Sequence, residues 1–173
     1  MNLLKHLFWR DLSRVAEDPF LAPPLRRLAG KILLDRLPEL TVGEKITLAR
    51  ISGRALLPRL MDEQLEVVLD ALLWNNHLTE DDVIARVNSA STPAGTLQVI
   101  GRHPRWRPRY GVRVALVRNS RTPLAVSLGC LTSLTEHDLN ALADNDDTPK
   151  LLRLACARVL TDDGWRRRQA SRD

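Results

Sequence analysis

Apolar residues recur along this 173-residue chain at three- and four-residue spacings, which is the pattern of amphipathic helices. Short segments with proline, glycine or asparagine separate the apolar stretches. A valine-rich stretch, residues 112–117, could form a strand, but Trp106, Tyr110 and Val114 continue into it on one helical stripe. We therefore predict an all-α fold, with helices over residues 3–16, 25–37, 42–51, 62–74, 80–88, 94–101, 106–118, 123–132, 136–143, 149–160 and 162–169.

One pattern occurs twice near the C-terminal end, in residues 119–141 and again in residues 145–167, with an offset of 26 positions. The offset pairs Asn119 with Asn145 and Leu128 with Leu154. A period of this length is typical of stacked helical units that share one elongated core. We therefore interpret the chain as an irregular helical repeat, and such repeats usually bind other molecules along an extended surface.

Thr-Pro pairs stand at three predicted helix starts, Thr92-Pro93, Thr122-Pro123 and Thr148-Pro149. We expect each threonine hydroxyl to accept a hydrogen bond from a free backbone N–H, and each proline to occupy the first helical position, where no donor is needed. The apolar residues after the first pair lie about one position out of register with the others.

The two cysteines, Cys130 and Cys156, lie seven residues after the prolines of the last two pairs. There is no Cys-x-x-Cys motif and no third ligand at a suitable spacing. We therefore expect both thiols to fill the same small slot in the core, rather than to form a disulfide or a metal site.

The segment from Val112-Arg113 to Thr122-Pro123, which continues to Cys130, resembles the leucine-rich repeat variant unit of the HEAT-like helical-repeat superfamily. Ser120 stands where that motif usually has proline. The match covers about residues 106–160. The resemblance implies a right-handed α-solenoid of irregular HEAT-like or leucine-rich-repeat-variant repeats, and it implies no reaction.

We predict a single helical-repeat domain over residues 1–173. Residues 1–20 contain a helix with an apolar face that includes Phe8, and this helix is expected to cap the first repeat. Binding of that face to a membrane surface is the alternative. Residues 161–173 are expected to form a C-terminal cap, closed by Trp165, and a basic tail. No stretch has the length and hydrophobicity of a signal peptide or a membrane span, so we expect a cytoplasmic protein.

Positive charge is concentrated in the middle of the chain. Residues 83–135 contain eight arginines and no acid, a formal charge of +8, whereas the whole chain carries +5 and the remainder therefore −3. Guanidinium groups bind carboxylates and phosphates through paired hydrogen bonds, which favours an anionic partner. We expect these arginines to converge on one concave face. The predicted partner-binding residues are Arg102, Arg105, Trp106, Arg107, Arg109, Arg113, Arg118 and Arg121.

Residues 102–110 interleave arginines with aromatic rings. A nucleic acid could bind there through its phosphates and by stacking of a base on Trp106 or Tyr110. On a continuous helix, however, both aromatic side chains lie on the apolar stripe, and we expect them to be buried.

The arginines of that helix would form the neighbouring stripe, through Arg105, Arg109 and Arg113. This stripe has a second interpretation, as a solvated face or one paired within the protein. Acids from other segments, such as Asp81, Asp82 or Asp138, would then neutralise part of it.

Motifs for catalysis, cofactors or metal ions are absent from the sequence: the histidines are isolated, and there is no phosphate-binding loop, dinucleotide fingerprint or nucleophile elbow. Some HEAT-like proteins are alkylpurine DNA glycosylases that use an acid among aromatic residues, but the aromatic cluster here has no acid nearby in sequence. We therefore predict a non-catalytic scaffold, without cofactor or metal, that binds an acidic protein or peptide. The alternative is a nucleic-acid-binding module, and more remotely a HEAT-like DNA glycosylase.

Overall fold

The structure is a computed structural model that describes residues 3–170, and these residues form helices and turns without a strand. The predicted all-α fold is confirmed. The helices pack into two compact units, divided between Thr79 and Glu80. Within residues 3–170, none of the helices combines the length and hydrophobicity needed to cross a bilayer.

Over residues 3–79 the first unit forms five α-helices and two short 3₁₀ helices, the latter at Leu3–His6 and Leu37–Glu39. Over residues 80–170 the second unit forms seven α-helices. In chain order the α-helices are α1 Trp9–Glu17, α2 Pro23–Asp35, α3 Val42–Ile51, α4 Leu57–Leu60, α5 Glu66–Leu73, α6 Glu80–Asn88, α7 Ala94–Arg102, α8 Tyr110–Arg118, α9 Leu124–Leu131, α10 Glu136–Asp144, α11 Lys150–Thr161 and α12 Asp163–Ala170.

The sequence pattern predicted most helix boundaries well. Both ends of α3 and α6 match the prediction, and the valine-rich stretch is helical, within α8. The pattern missed α4 and placed the starts of α5 and α8 four residues too early. Pro108 explains the error at α8, because a proline restricts the residue before it to extended conformations and interrupts a helix that would run through it.

In the first unit, α1 packs along α2 and α3 packs along α5. A capping box begins α3: the Thr41 hydroxyl accepts a hydrogen bond from the Glu44 N–H (3.3 Å), and the Glu44 carboxylate accepts one from the Thr41 N–H (2.9 Å). The indole N–H of Trp9 donates to the other Glu44 carboxylate oxygen (2.9 Å), so the same cap also ties α1 to α3.

The predicted N-terminal helix is divided into two pieces, because the helical conformation stops after His6 and resumes at Trp9. The predicted apolar face is therefore wrong at Phe8, which is the N-cap of α1 and is 73% exposed. Leu12 of the same predicted face is buried, and Trp9 points into the core in place of Phe8. Capping of a first repeat by this segment stays a prediction.

In the second unit, α8 packs against α6 and α9, and α11 packs against α9, α10 and α12. Trp165 is buried in the resulting core, as predicted for the C-terminal segment. The two cysteines are free and buried in the same cluster, and burial raises the pKa of both thiols. Their predicted role as small core residues is confirmed. The members of the cluster are Val117, Cys130, Leu131, Leu134, Leu139, Leu142, Leu152, Cys156 and Trp165.

All three Thr-Pro pairs precede helices, but the predicted capping chemistry is wrong. The N-cap of α7, α9 and α11 is the proline itself, and none of these caps has a side-chain hydrogen bond. The three threonines are buried one position earlier. Thr92 donates its hydroxyl to the Arg86 carbonyl (2.6 Å). The Thr122 hydroxyl has no hydrogen-bond partner among the described residues.

The first Thr-Pro helix is in register with the other two, although the sequence pattern predicted an offset of about one position. Ile100 lies seven residues after Pro93, as Cys130 and Cys156 do after their prolines, and all three side chains are buried. Leu128 and Leu154, which the alignment used, are 40% and 58% exposed. The position that the three helices share is therefore the buried one, seven residues after the proline, and not the position of Leu128 and Leu154.

Asparagines end helices with the same turn at three points in the chain. In Asn75, Asn119 and Asn145 the side-chain oxygen accepts the N–H two residues on, and the backbone carbonyl accepts the N–H three residues on. The amide group of Asn75 also donates to the carbonyls of Ala49 and Ser52, both at 2.8 Å, and that of Asn119 donates to the Val87 carbonyl. These bonds join the end of one helix to the end of an earlier one.

Candidate functional site

The arginine-rich segment before α8 is a turn rather than a helix. The His103 carbonyl accepts the N–H groups of Trp106 (3.2 Å) and Arg107 (2.9 Å), and its imidazole Nδ1 accepts the Arg105 N–H (3.3 Å). His103 thus holds the turn much as the asparagines hold theirs. Arg109 is the N-cap of α8, so Arg105, Arg109 and Arg113 do not share one helical stripe as predicted.

The two aromatic residues of this segment differ in burial. Trp106 is 2% exposed, as predicted, and the Arg105 guanidinium lies 4.5 Å from its ring centroid. Its ring is therefore not available to stack on a base. Tyr110 was predicted to be buried and is 38% exposed, because α8 begins there and turns the side chain towards α10.

Tyr110 belongs to a polar network that joins α8 to the start of α10. Its hydroxyl donates to the Asp138 carboxylate and accepts the Thr135 N–H (3.2 Å). The Thr135 hydroxyl caps α10 by accepting the Asp138 N–H (3.3 Å), and Arg118 donates to the second carboxylate oxygen (2.9 Å). Both oxygens of Asp138 are thus occupied.

The electrostatic consequence is a stabilised carboxylate. Burial alone would raise the pKa of Asp138, but the hydrogen bonds from Tyr110 and Thr135 and the charge of Arg118 outweigh it and lower the pKa. Asp138 does pair with an arginine from another segment, but this arginine is Arg118, which lies outside the predicted stripe. The acid that the sequence did not show near the aromatic cluster is Asp138, 28 residues from Tyr110.

Three other arginines of the predicted site have partners within the protein. Arg109 lies 4.0 Å from the Glu80 carboxylate, and both side chains are partly exposed. Arg113 is half-buried, with its guanidinium 5.5 Å from the Tyr110 ring centroid. The guanidinium nitrogens of Arg102 lie 2.6 and 3.1 Å from the end of the Gln98 side-chain amide, which accepts both hydrogen bonds when its oxygen is turned towards them.

Arg107 and Arg121 differ from these, because both are exposed and neither forms an ion pair among the described residues. Arg107 and Arg113 both lie close enough to Cys130 to favour its thiolate, although burial dominates and leaves the thiol pKa raised. Arg107 and Arg121 are therefore the guanidinium groups most available to an anionic partner.

Within residues 3–170, no cluster of histidine, cysteine, aspartate and glutamate side chains could hold a metal ion.

The sequence also did not predict a basic groove in the first unit, which is lined by α2 and residues 55–59. Its cations come from two separate segments of the chain, and only folding places them around one apolar surface.

Comparison of the chain with models of known protein families, with curated proteins and with solved structures finds no match in any of the three.

Proposed function

We propose that the chain is a non-catalytic helical-repeat scaffold, a right-handed α-solenoid of irregular HEAT-like or leucine-rich-repeat-variant units. It binds an acidic protein or peptide through an arginine surface that consists of Arg102, Arg105, Arg107, Arg109, Arg113, Arg118 and Arg121. The repeat architecture is supported by the 26-residue sequence pattern and by the same turn at Asn75, Asn119 and Asn145.

The observation that carries the proposed partner is the pair of exposed guanidinium groups on Arg107 and Arg121. Neither forms an ion pair within the described residues, whereas Arg109 and Arg118 lie against Glu80 and Asp138. A guanidinium presents paired donors that match a carboxylate, and a partner supplies the counter-charge that the protein lacks here.

Binding of a fluorescein-labelled decaglutamate peptide, followed by fluorescence anisotropy at low ionic strength, tests the proposal. The double variant Arg107→Glu/Arg121→Glu should weaken binding at least tenfold, or about 1.4 kcal/mol. The matched control is Arg158→Glu, an exposed arginine of α11 outside the arginine surface. Unchanged binding by the double variant would show that the surface is wrongly assigned.

The alternative function is nucleic-acid binding, for which the same arginines supply phosphate contacts. Stacking on Trp106 is opposed by its burial, and the Tyr110 hydroxyl is held by Thr135 and Asp138. Titration of labelled single- and double-stranded DNA over a range of salt concentrations separates the two functions. Tight, salt-dependent DNA binding that exceeds decaglutamate binding would favour this alternative, and no DNA binding at low salt would remove it.

A further inference from the structure

A groove of about 530 Å³ opens in the first unit between α2 and residues 55–59. Its lining includes the buried side chains of Ala16 and Leu56, the half-buried Leu34, and Gly30, which has no side chain to fill the space. Most of the surface that the groove presents is apolar. An apolar ligand body would therefore be removed from water there, which is the main source of affinity in such sites.

Four cations surround this apolar lining, and one carboxylate, Asp35, opposes them. The Arg26 Nε donates to the Ala16 carbonyl (3.4 Å), which holds that side chain at the edge of the groove. The other cations form no ion pair among the described residues and are exposed. The four cationic side chains are Arg26, Arg27, Lys31 and Arg59. The groove thus combines an apolar interior with a net positive rim.

The dimensions favour a small molecule over a docked helix. The volume lies within the range of about 300–1,000 Å³ that is usual for small-ligand sites. The wall opposite α2 is formed by Ala55, Leu56 and Arg59. This wall spans residues 55–59 and includes most of α4, a four-residue helix whose rise is about 6 Å. It would therefore contact only about one turn of a helical peptide.

We propose that this groove binds a small anionic amphiphile, a molecule with a short alkyl or aromatic body and a carboxylate or phosphate head. The body lies against Ala16, Gly30, Leu34 and Leu56, and the head is held by the cations of the rim. This site uses none of the residues of the arginine surface, so it does not rest on the proposed scaffold function.

The NMR signals of the glycine amides can report ligand binding in this groove. The 173-residue chain, labelled with ¹⁵N-glycine, has eight glycine signals, of which Gly30 alone belongs to the lining of this groove. The variant Gly30→Ala assigns that signal and should fold, because the added Cβ would lie 3.8 Å from both Ala16 Cβ and Leu56 Cδ2, an ordinary contact distance. The probes are octyl phosphate and octanoate, added below their micelle concentrations.

We expect either probe to shift the Gly30 amide signal saturably, while the signal of Gly43, which lies in the same unit but outside the lining, moves little. The double variant Arg27→Glu/Lys31→Glu should weaken binding about tenfold or more, since it replaces two attractions by two repulsions. Arg50→Glu, an exposed arginine of α3 outside the lining, is the matched control and should bind as the unaltered chain does.

Three results would overturn the proposal. One is no movement of the Gly30 signal with either probe. Another is equal affinity for uncharged octyl glucoside, which would show that the cations play no part in recognition. The third is a Gly30 shift caused by an acidic amphipathic model peptide but by neither alkyl anion, which would identify a peptide-docking groove. All three are independent of decaglutamate binding by the arginine surface.

Discussion

Gly101 lies at a close contact between α7 and α9 in the second unit. A Cβ added at this position would lie 2.3 Å from Val126 Cγ1 and 3.6 Å from Leu116 Cδ1. The first distance is about 1.2 Å shorter than the closest ordinary carbon contact of about 3.5 Å. Val126 cannot relieve the overlap cheaply, because a β-branched side chain in a helix has one strongly preferred rotamer.

Gly101→Ala should therefore destabilise the protein despite its better helix propensity. Overpacking of this kind costs about 1–3 kcal/mol, whereas replacing glycine by alanine within a helix gains about 0.5–1 kcal/mol. The overlap places the cost in the upper part of its range, so we expect a net loss of about 1–2 kcal/mol. For a chain of this length, the melting temperature should fall by about 2–8 °C.

Differential scanning calorimetry with two further variants tests the reasoning. Gly129→Ala is the matched control, since a Cβ there meets nothing within 4 Å, and it should stabilise by about 0.5–1 kcal/mol. Val126→Ala removes the clashing methyl group, so the double variant with Gly101→Ala should be more stable than the two separate effects predict. A Gly101→Ala protein as stable as the unaltered chain would refute the steric account.

Three other predictions concern polar groups and thiols. Thr122→Val should be neutral or stabilising in urea unfolding, because it removes a hydroxyl without a hydrogen-bond partner among the described residues. Thr92→Val should cost about 0.5–1.5 kcal/mol, because it removes the hydroxyl's hydrogen bond to the Arg86 carbonyl, which still accepts the Ser89 N–H; equal effects would contradict this. Because the pKa of Asp138 is lowered by folding, its contribution to stability is complete above the ordinary value of 3.8 and is lost as the pH falls through the lowered value. Tyr110→Phe should therefore reduce the stability lost on acidification, and an unchanged pH profile would count against the network. Both cysteines should resist a thiol reagent until the chain unfolds, and added reductant should leave the melting temperature unchanged; rapid labelling of the native protein would disprove their burial.

The sequence by itself determined the helical segments and much of the core. Apolar spacing and proline breakers act within a few residues, so they defined α3 and α6 at both ends and placed Cys130, Cys156 and Trp165 inside. The prediction at residues 106–109 was wrong because the apolar period was continued through Pro108. The Thr-Pro signal located helix starts correctly but gave the wrong cap, because the threonine hydroxyls were drawn into the core rather than towards the free N–H groups.

Only the tertiary structure decided which charged side chains stay available to a partner. Asp138 is far from Arg118 in sequence, yet folding pairs them and ties Tyr110 to the same carboxylate, whereas Arg107 and Arg121 are left exposed. The groove around Gly30 likewise exists because residues 55–59 are packed opposite α2. Periodicity shows which face of a helix is apolar, but ion pairs and cavities depend on which other segment faces it, and that is settled by packing over long sequence distances.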